Sequence, residues 1–174
     1  MSDPIATPIA TDLLGALLDA YDAQEALPAP CMAGLIAGAG IAADFCCAGT
    51  RADGVPCVGQ LTVRVAGVVP TQQFPAARQS PMPVCGSSWA VELEIAVLRC
   101  APAMDDTVDP PLPPAMADQE AAAGLALDDA ALVRDALTGF ALNRDLAHLW
   151  GPYSPLGPEG GCVGWAMTCT FLIE

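Results

Sequence analysis

From Trp89 to Cys100 apolar and polar residues alternate: Trp89, Val91, Leu93, Ile95 and Val97 share one parity, while Glu92 and Glu94 stand on the other. Period two predicts a β-strand with one buried and one wet face. At about 3.3 Å per residue it would run roughly 40 Å, well beyond the usual strand. Such a strand needs a broad sheet or a neighbouring subunit to cover it. Two more stretches alternate in the same way. Over Gln60 to Val69, Leu61, Val63, Val65 and Val69 oppose Gln60, Thr62 and Arg64. Over Cys162 to Ile173, Val163, Trp165, Met167, Cys169, Phe171 and Ile173 oppose Gly164, Ala166, Thr168 and Thr170. If the first of these lies antiparallel to Trp89–Cys100, Arg64 falls near Glu92 or Glu94. One short strand is expected somewhere in Leu35 to Cys47.

The helical period shows in two places. From Thr11 to Glu25 the residues Leu13, Leu14, Leu17, Leu18 and Tyr21 recur at three and four, with Thr11 or Asp12 as the cap and Leu27-Pro-Ala-Pro30 as the stop. From Met116 to Trp150 the stripe is Leu125, Leu132, Val133, Ala136, Leu137 and Phe140. Unbroken, that stretch would span roughly 50 Å, more than a compact chain of this size. A break is expected near Gly124 or between Gly139 and Arg144. His148 then sits at a helix tail, and residues 151–161 read as turns. These elements predict a single α+β domain over residues 1–174, a mostly antiparallel sheet of about four strands packed against two main helices.

Two proline-rich connections are long. Residues 70–88 fill the gap between two strands where a hairpin needs about two to five residues, and they carry Phe74, Arg78 and Met82, a set suited to gripping another chain. Residues 101–115 carry Asp105, Asp106 and Asp109 and read equally well as a solvated link or as a contact surface.

Charge narrows the function. The chain has 6 basic residues, all arginine, against 20 acids, for a formal net charge of −14. Phosphate binding by a basic surface is thereby disfavoured. Eight cysteines occur without a Cys-x-x-Cys pair and with one histidine, which argues against a zinc site. No secretory signal is read at the N-terminus, so mostly free, buried thiols in a reducing cytoplasm are expected, with an oxidised pair at Cys46 or Cys47 left open. No run approaches the ~20 apolar residues of a membrane span.

A catalytic set is not found. Gly34, Gly38 and Gly40 make neither a dinucleotide fingerprint nor a P-loop, and a chain without lysine has no Walker lysine. Glu92 and Glu94 point the same way, which suits a solvated or contact face better than an acid–base pair across a cleft. No catalytic, cofactor-binding or metal residue is assigned. The residues assigned to an interface are Phe74, Arg78, Met82, Glu92 and Glu94.

The helix with Leu-Leu-Asp-Ala-Tyr at 17–21, the strand Trp-Ala-Val-Glu-Leu-Glu-Ile-Ala-Val-Leu-Arg-Cys-Ala-Pro at 89–102, the alanine-rich helix after it and the final Gly-Pro-Glu-Gly-Gly-Cys-Val-Gly-Trp strand carry a resemblance. In that order they resemble head-to-tail connector proteins of long-tailed actinobacterial phages, and most of all the tail terminator. The resemblance covers the first helix and about the last two-thirds of the chain, leaving residues 31–59 poorly matched. It implies an α+β virion protein, not an enzyme, that needs no cofactor. It further implies a homo-oligomeric, hexameric ring at the head–tail joint, with the major tail tube protein on one side and a head-completion or stopper protein on the other. DNA would pass through as cargo, and no membrane is involved. A stopper or adaptor connector is the alternative, and a cytoplasmic enzyme or ligand-binding module, marked by a deep polar pocket, is the third.

Overall fold

The computed structural model describes residues 4–24, 26–38, 46–47, 49, 59–71, 74–75, 88–104, 107, 109–159 and 161–173. The elements are α1 (Ala6–Asp22), β1 (Met32–Ile36), β2 (Gln60–Thr71), β3 (Ser88–Cys100), α2 (Met116–Asn143), β4 (His148–Glu159) and β5 (Cys162–Ile173). The strands form one sheet in the order β1-β2-β3-β5-β4. The α+β class therefore holds, with two corrections: the sheet has five strands, and it is mixed, because β1 runs parallel to β2.

The long β3 gets its cover from β2 on one side and β5 on the other, both antiparallel. Its odd residues Val91, Leu93, Ile95 and Val97 join Leu61, Val63, Trp165, Met167, Cys169 and Phe171 in one core, against which both helices pack. From α1 that core takes Ile9, Leu13, Leu17 and Tyr21; from α2 it takes Val133, Leu137 and Phe140. Phe171 anchors the junction, with Phe140 edge-on at 5.7 Å and Trp150 at 5.8 Å. The half-wet reading of β3 holds at Glu92 and Glu94, but Ala90, Ala96 and Leu98 on the second face are buried as well, and Trp89, assigned to the buried face, is exposed at the strand's start.

In β2 the register shifts between Val65 and Gly67. One extra residue at such a β-bulge reverses which parity faces the core. Val68 accordingly stands opposite Val91 and packs on the core, while Val69, assigned to the buried face from alternation, is more than one-third exposed; Val65, ahead of the shift and opposite Leu93, is exposed to a similar extent.

Both helices differ from their sequence-based bounds. α1 starts at Ala6, so Thr11 is no cap; its hydroxyl donates to the Thr7 carbonyl one turn back. α2 passes straight through Gly124 and Gly139 and ends at Asn143, inside the 139–144 window; 28 residues make roughly 42 Å. The segment after it, read as turns, is the edge strand β4. Its Pro152, Pro155 and Pro158 mask strand character because proline is tolerated only at sheet edges and bulges, and β4 shifts register twice against β5. β1 lies at Met32–Ile36, overlapping the expected window only at Leu35 and Ile36.

The thiols also differ. Cys46 is bonded to Cys162 and Cys47 to Cys100, and Cys31 is disulfide-bonded too. Among the described residues only Cys169 is free, buried on the core side of β5, where burial and then the charge of Glu92 push its thiol pKa well up.

Candidate functional site

A charged knot sits inside the helix–sheet core. Arg99 continues the odd, inward parity of β3, so its side chain enters between the helices. Arg99 Nε donates to Asp129 Oδ2 at 2.8 Å and Nη2 donates to Oδ1 at 2.6 Å. Tyr21 donates its hydroxyl hydrogen to the same Oδ1 at 2.7 Å. The Pro28 carbonyl accepts from Arg99 Nη2 at 2.8 Å. Both charged residues are essentially unexposed, Arg99 at 2% and Asp129 at 0%. Burial, then the charge of Asp129 and the hydrogen bond to it, push the Tyr21 phenol far above its ordinary range. For Arg99 burial works downward, and the hydrogen bond and charge of Asp129 outweigh it. With carboxylate and guanidinium locked in a bidentate pair, the knot joins α1, α2 and β3.

On the second face Arg64 and Glu94 stand opposite each other and form an ion pair. Arg64 Nε donates to Glu94 Oε2 at 2.7 Å, and Nη1 donates to the Gly38 carbonyl at 3.1 Å. Glu94 is thus neutralised locally, while Glu92, opposite Gly67 and Thr170, is exposed. These two carboxylates do not act as a pair.

Grooves occur on the helix side and at the sheet end. Leu127, Ala130, Ala131 and Arg134 of α2 face Trp150 and Tyr153 of β4 across a groove of about 340 Å³. Leu127 is 62% exposed and Tyr153 42%, so the groove presents apolar surface outward. At the end of the sheet Phe74 and Pro75 line a second groove with residues 145–149, where Leu149 is 47% exposed. Phe74 is thereby placed beside an apolar patch, whereas Arg78 and Met82 lie outside the described residues. His148 belongs to β4 and not to a helix tail; its ring stacks on Trp150 at 4.3 Å and its Nδ1 lies 3.0 Å from the Leu146 carbonyl.

Among the described residues no three His, Cys, Asp or Glu side chains are grouped to hold a metal ion, and no helix is long and apolar enough to cross a membrane. No protein-family model matches the chain, and no curated protein matches it.

The knot and the α2–β4 groove were missed from sequence, although the knot left a signal. Arg99 falls on the inward parity of β3, and Asp129 falls four before Val133 on the buried stripe of α2. Two opposite charges interrupting two apolar faces are what a buried pair looks like in sequence.

Proposed function

We propose that this chain is a structural subunit of a phage head–tail joint, a tail terminator whose copies close into a ring that caps the tail tube and meets the head. One observation carries the reading: the α2–β4 groove, where Leu127 and Tyr153 stand exposed around Trp150. Large apolar side chains gathered on an outer groove mark a surface that another chain covers. The adjacent edge favours contact through side chains over strand addition, because three prolines remove backbone donors along β4. A ring of identical subunits needs a heterologous contact, groove against a different patch on the next copy. The corner where half-buried Phe74 meets exposed Leu149 is a candidate for that second patch. The acidic surface fits a channel through which DNA slides, since weak phosphate affinity leaves the genome free to move. Disulfides fit a protein that leaves the reducing cytoplasm inside a virion.

The test combines native mass with negative-stain imaging, looking for six-fold particles built from 17.7 kDa subunits, and with immunolabelling of virions. Absence of the protein from the head–tail joint would refute the reading. Leu127→Asp is expected to abolish rings while shifting monomer stability by no more than about 0.5 kcal/mol, as for an exposed position. Deleting residues 72–84 is expected to leave the monomer folded and stop assembly; tails of normal length and attachment would reduce that loop to a mere connection.

A further inference from the structure

Cys46 and Cys47 are neighbours in sequence yet bond to different strands, Cys46 to Cys162 at the start of β5 and Cys47 to Cys100 at the end of β3. Cys100 and Cys162 are direct partners across the β3–β5 ladder, so four sulfurs meet at one end of the sheet. The sulfurs of Cys46 and Cys47 are 3.5 Å apart. The two bonds differ sharply in access. Cys46 is 0% and Cys162 1% exposed, in a small apolar cluster with Leu98 and Leu156, whereas Cys47 and Cys100 are exposed. Exchange requires a thiolate to reach a disulfide sulfur. An external thiol therefore reaches the outer bond and not the inner one.

We propose that this cluster is a thiol–disulfide exchange site at which a dithiol reductant opens the outer Cys47–Cys100 bond, and Cys47 then relays the exchange to the inner Cys46–Cys162 bond. In the first step one thiolate of the dithiol attacks Cys100 Sγ, the bond to Cys47 breaks, and Cys47 leaves as a thiolate. The second thiolate of the reductant attacks its own sulfur bound to Cys100 and releases the Cys100 thiolate. The reductant departs as a cyclic disulfide, and two electrons have passed to the protein. In the second step the Cys47 thiolate attacks Cys46 Sγ, its neighbour at 3.5 Å; the Cys46–Cys162 bond breaks and Cys162 leaves as a thiolate that takes a proton. This step only exchanges partners, with no net gain or loss of electrons. The new Cys46–Cys47 bond contains an exposed sulfur, so a second dithiol opens it and leaves four thiols. The ring reading is not needed for any of this, and monomer in solution suffices.

The experiment treats the oxidised 174-residue chain with limiting dithiothreitol under native conditions, quenches in acid, and maps alkylated cysteines by mass spectrometry over time. Cys47 and Cys100 are expected to label before Cys46 and Cys162, followed by Cys162 as Cys46 and Cys47 become linked to each other. In a Cys47→Ser/Cys100→Ser variant the inner bond is expected to open at least about tenfold more slowly, since the Cys47 thiolate that relays the exchange is absent. Labelling of Cys46 and Cys162 before Cys47 and Cys100 in the parent chain would overturn the proposal, and that time course needs no variant to fold. Equal rates of inner-bond opening in parent and folded variant would overturn the relay.

Discussion

At Asp129 one carboxylate holds three pieces of the fold together, accepting from Tyr21 of α1 and from Arg99 of β3 while itself belonging to α2. Removing it leaves a guanidinium in the core without its counter-charge. Asp129→Ala is expected to cost about 3–5 kcal/mol in urea unfolding, whereas Tyr21→Phe, which leaves the ion pair intact, should cost about 1–2 kcal/mol. The phenol also makes a prediction about pH. Its folded pKa is raised, so the folded state holds the proton where the unfolded state has lost it. The stabilisation is fully present below the ordinary tyrosine pKa of about 10 and declines as pH rises above that value. The more exposed Tyr153 shifts in the same direction, by burial first and the charge of Asp129 second. Stability measured from pH 9 upward should therefore fall for the parent chain and fall less steeply for Tyr21→Phe. A parallel decline in both would assign the alkaline loss to other groups.

At the scale of elements, two glycines separate close approach from mere tolerance. A Cβ on Gly164 would collide with the Val97 carbonyl oxygen and come within 2.9 Å of Leu98 Cα, backbone atoms that cannot move without opening the β3–β5 ladder. A Cβ on Gly124 meets nothing within 4 Å. Gly164→Ala is expected to destabilise by about 1–3 kcal/mol, and Gly124→Ala to stabilise by about 0.5–1 kcal/mol, since it sits in a helix interior. Thermal unfolding of the two variants checks both signs. The same scale shows what could be read in advance. β3, β5 and the first half of β2 were legible because alternation persists wherever one face meets a core. The bulge after Val65 was not, because a skipped residue leaves no mark in composition. β4 was misread because Pro152, Pro155 and Pro158 resemble turn signals, although an edge strand accepts them. α2 runs through Gly124 and Gly139 because packing along its far half outweighs a cost of about 1 kcal/mol per glycine. Of the residues assigned to an interface, Phe74 has apolar neighbours and Glu94 is ion-paired; alternation placed Arg64 near Glu92 or Glu94, and the observed register selects Glu94.

For the whole molecule the disulfides matter most, and spacing alone did not announce them. Cys46 and Cys162 are 116 residues apart and Cys47 and Cys100 are 53 apart, so only the folded sheet brings them together. The wider bond constrains the unfolded chain over most of its length, worth about 2–5 kcal/mol in a chain-entropy account. It also sets how far the protein can be drawn out by force. Pulled between Met1 and Glu174, the oxidised chain can surrender at most the 45 residues before Cys46 and the 12 after Cys162, an extension of roughly 200 Å at about 3.5 Å per residue. With every bond reduced, the limit rises to roughly 600 Å. Single-molecule stretching with and without reductant should show those two contour lengths. On the proposed reading, a subunit seated where a tail hangs from a filled head would behave as a short tether, yielding α1 and β1 on one side and β5 on the other while the chain between Cys46 and Cys162 cannot be drawn out.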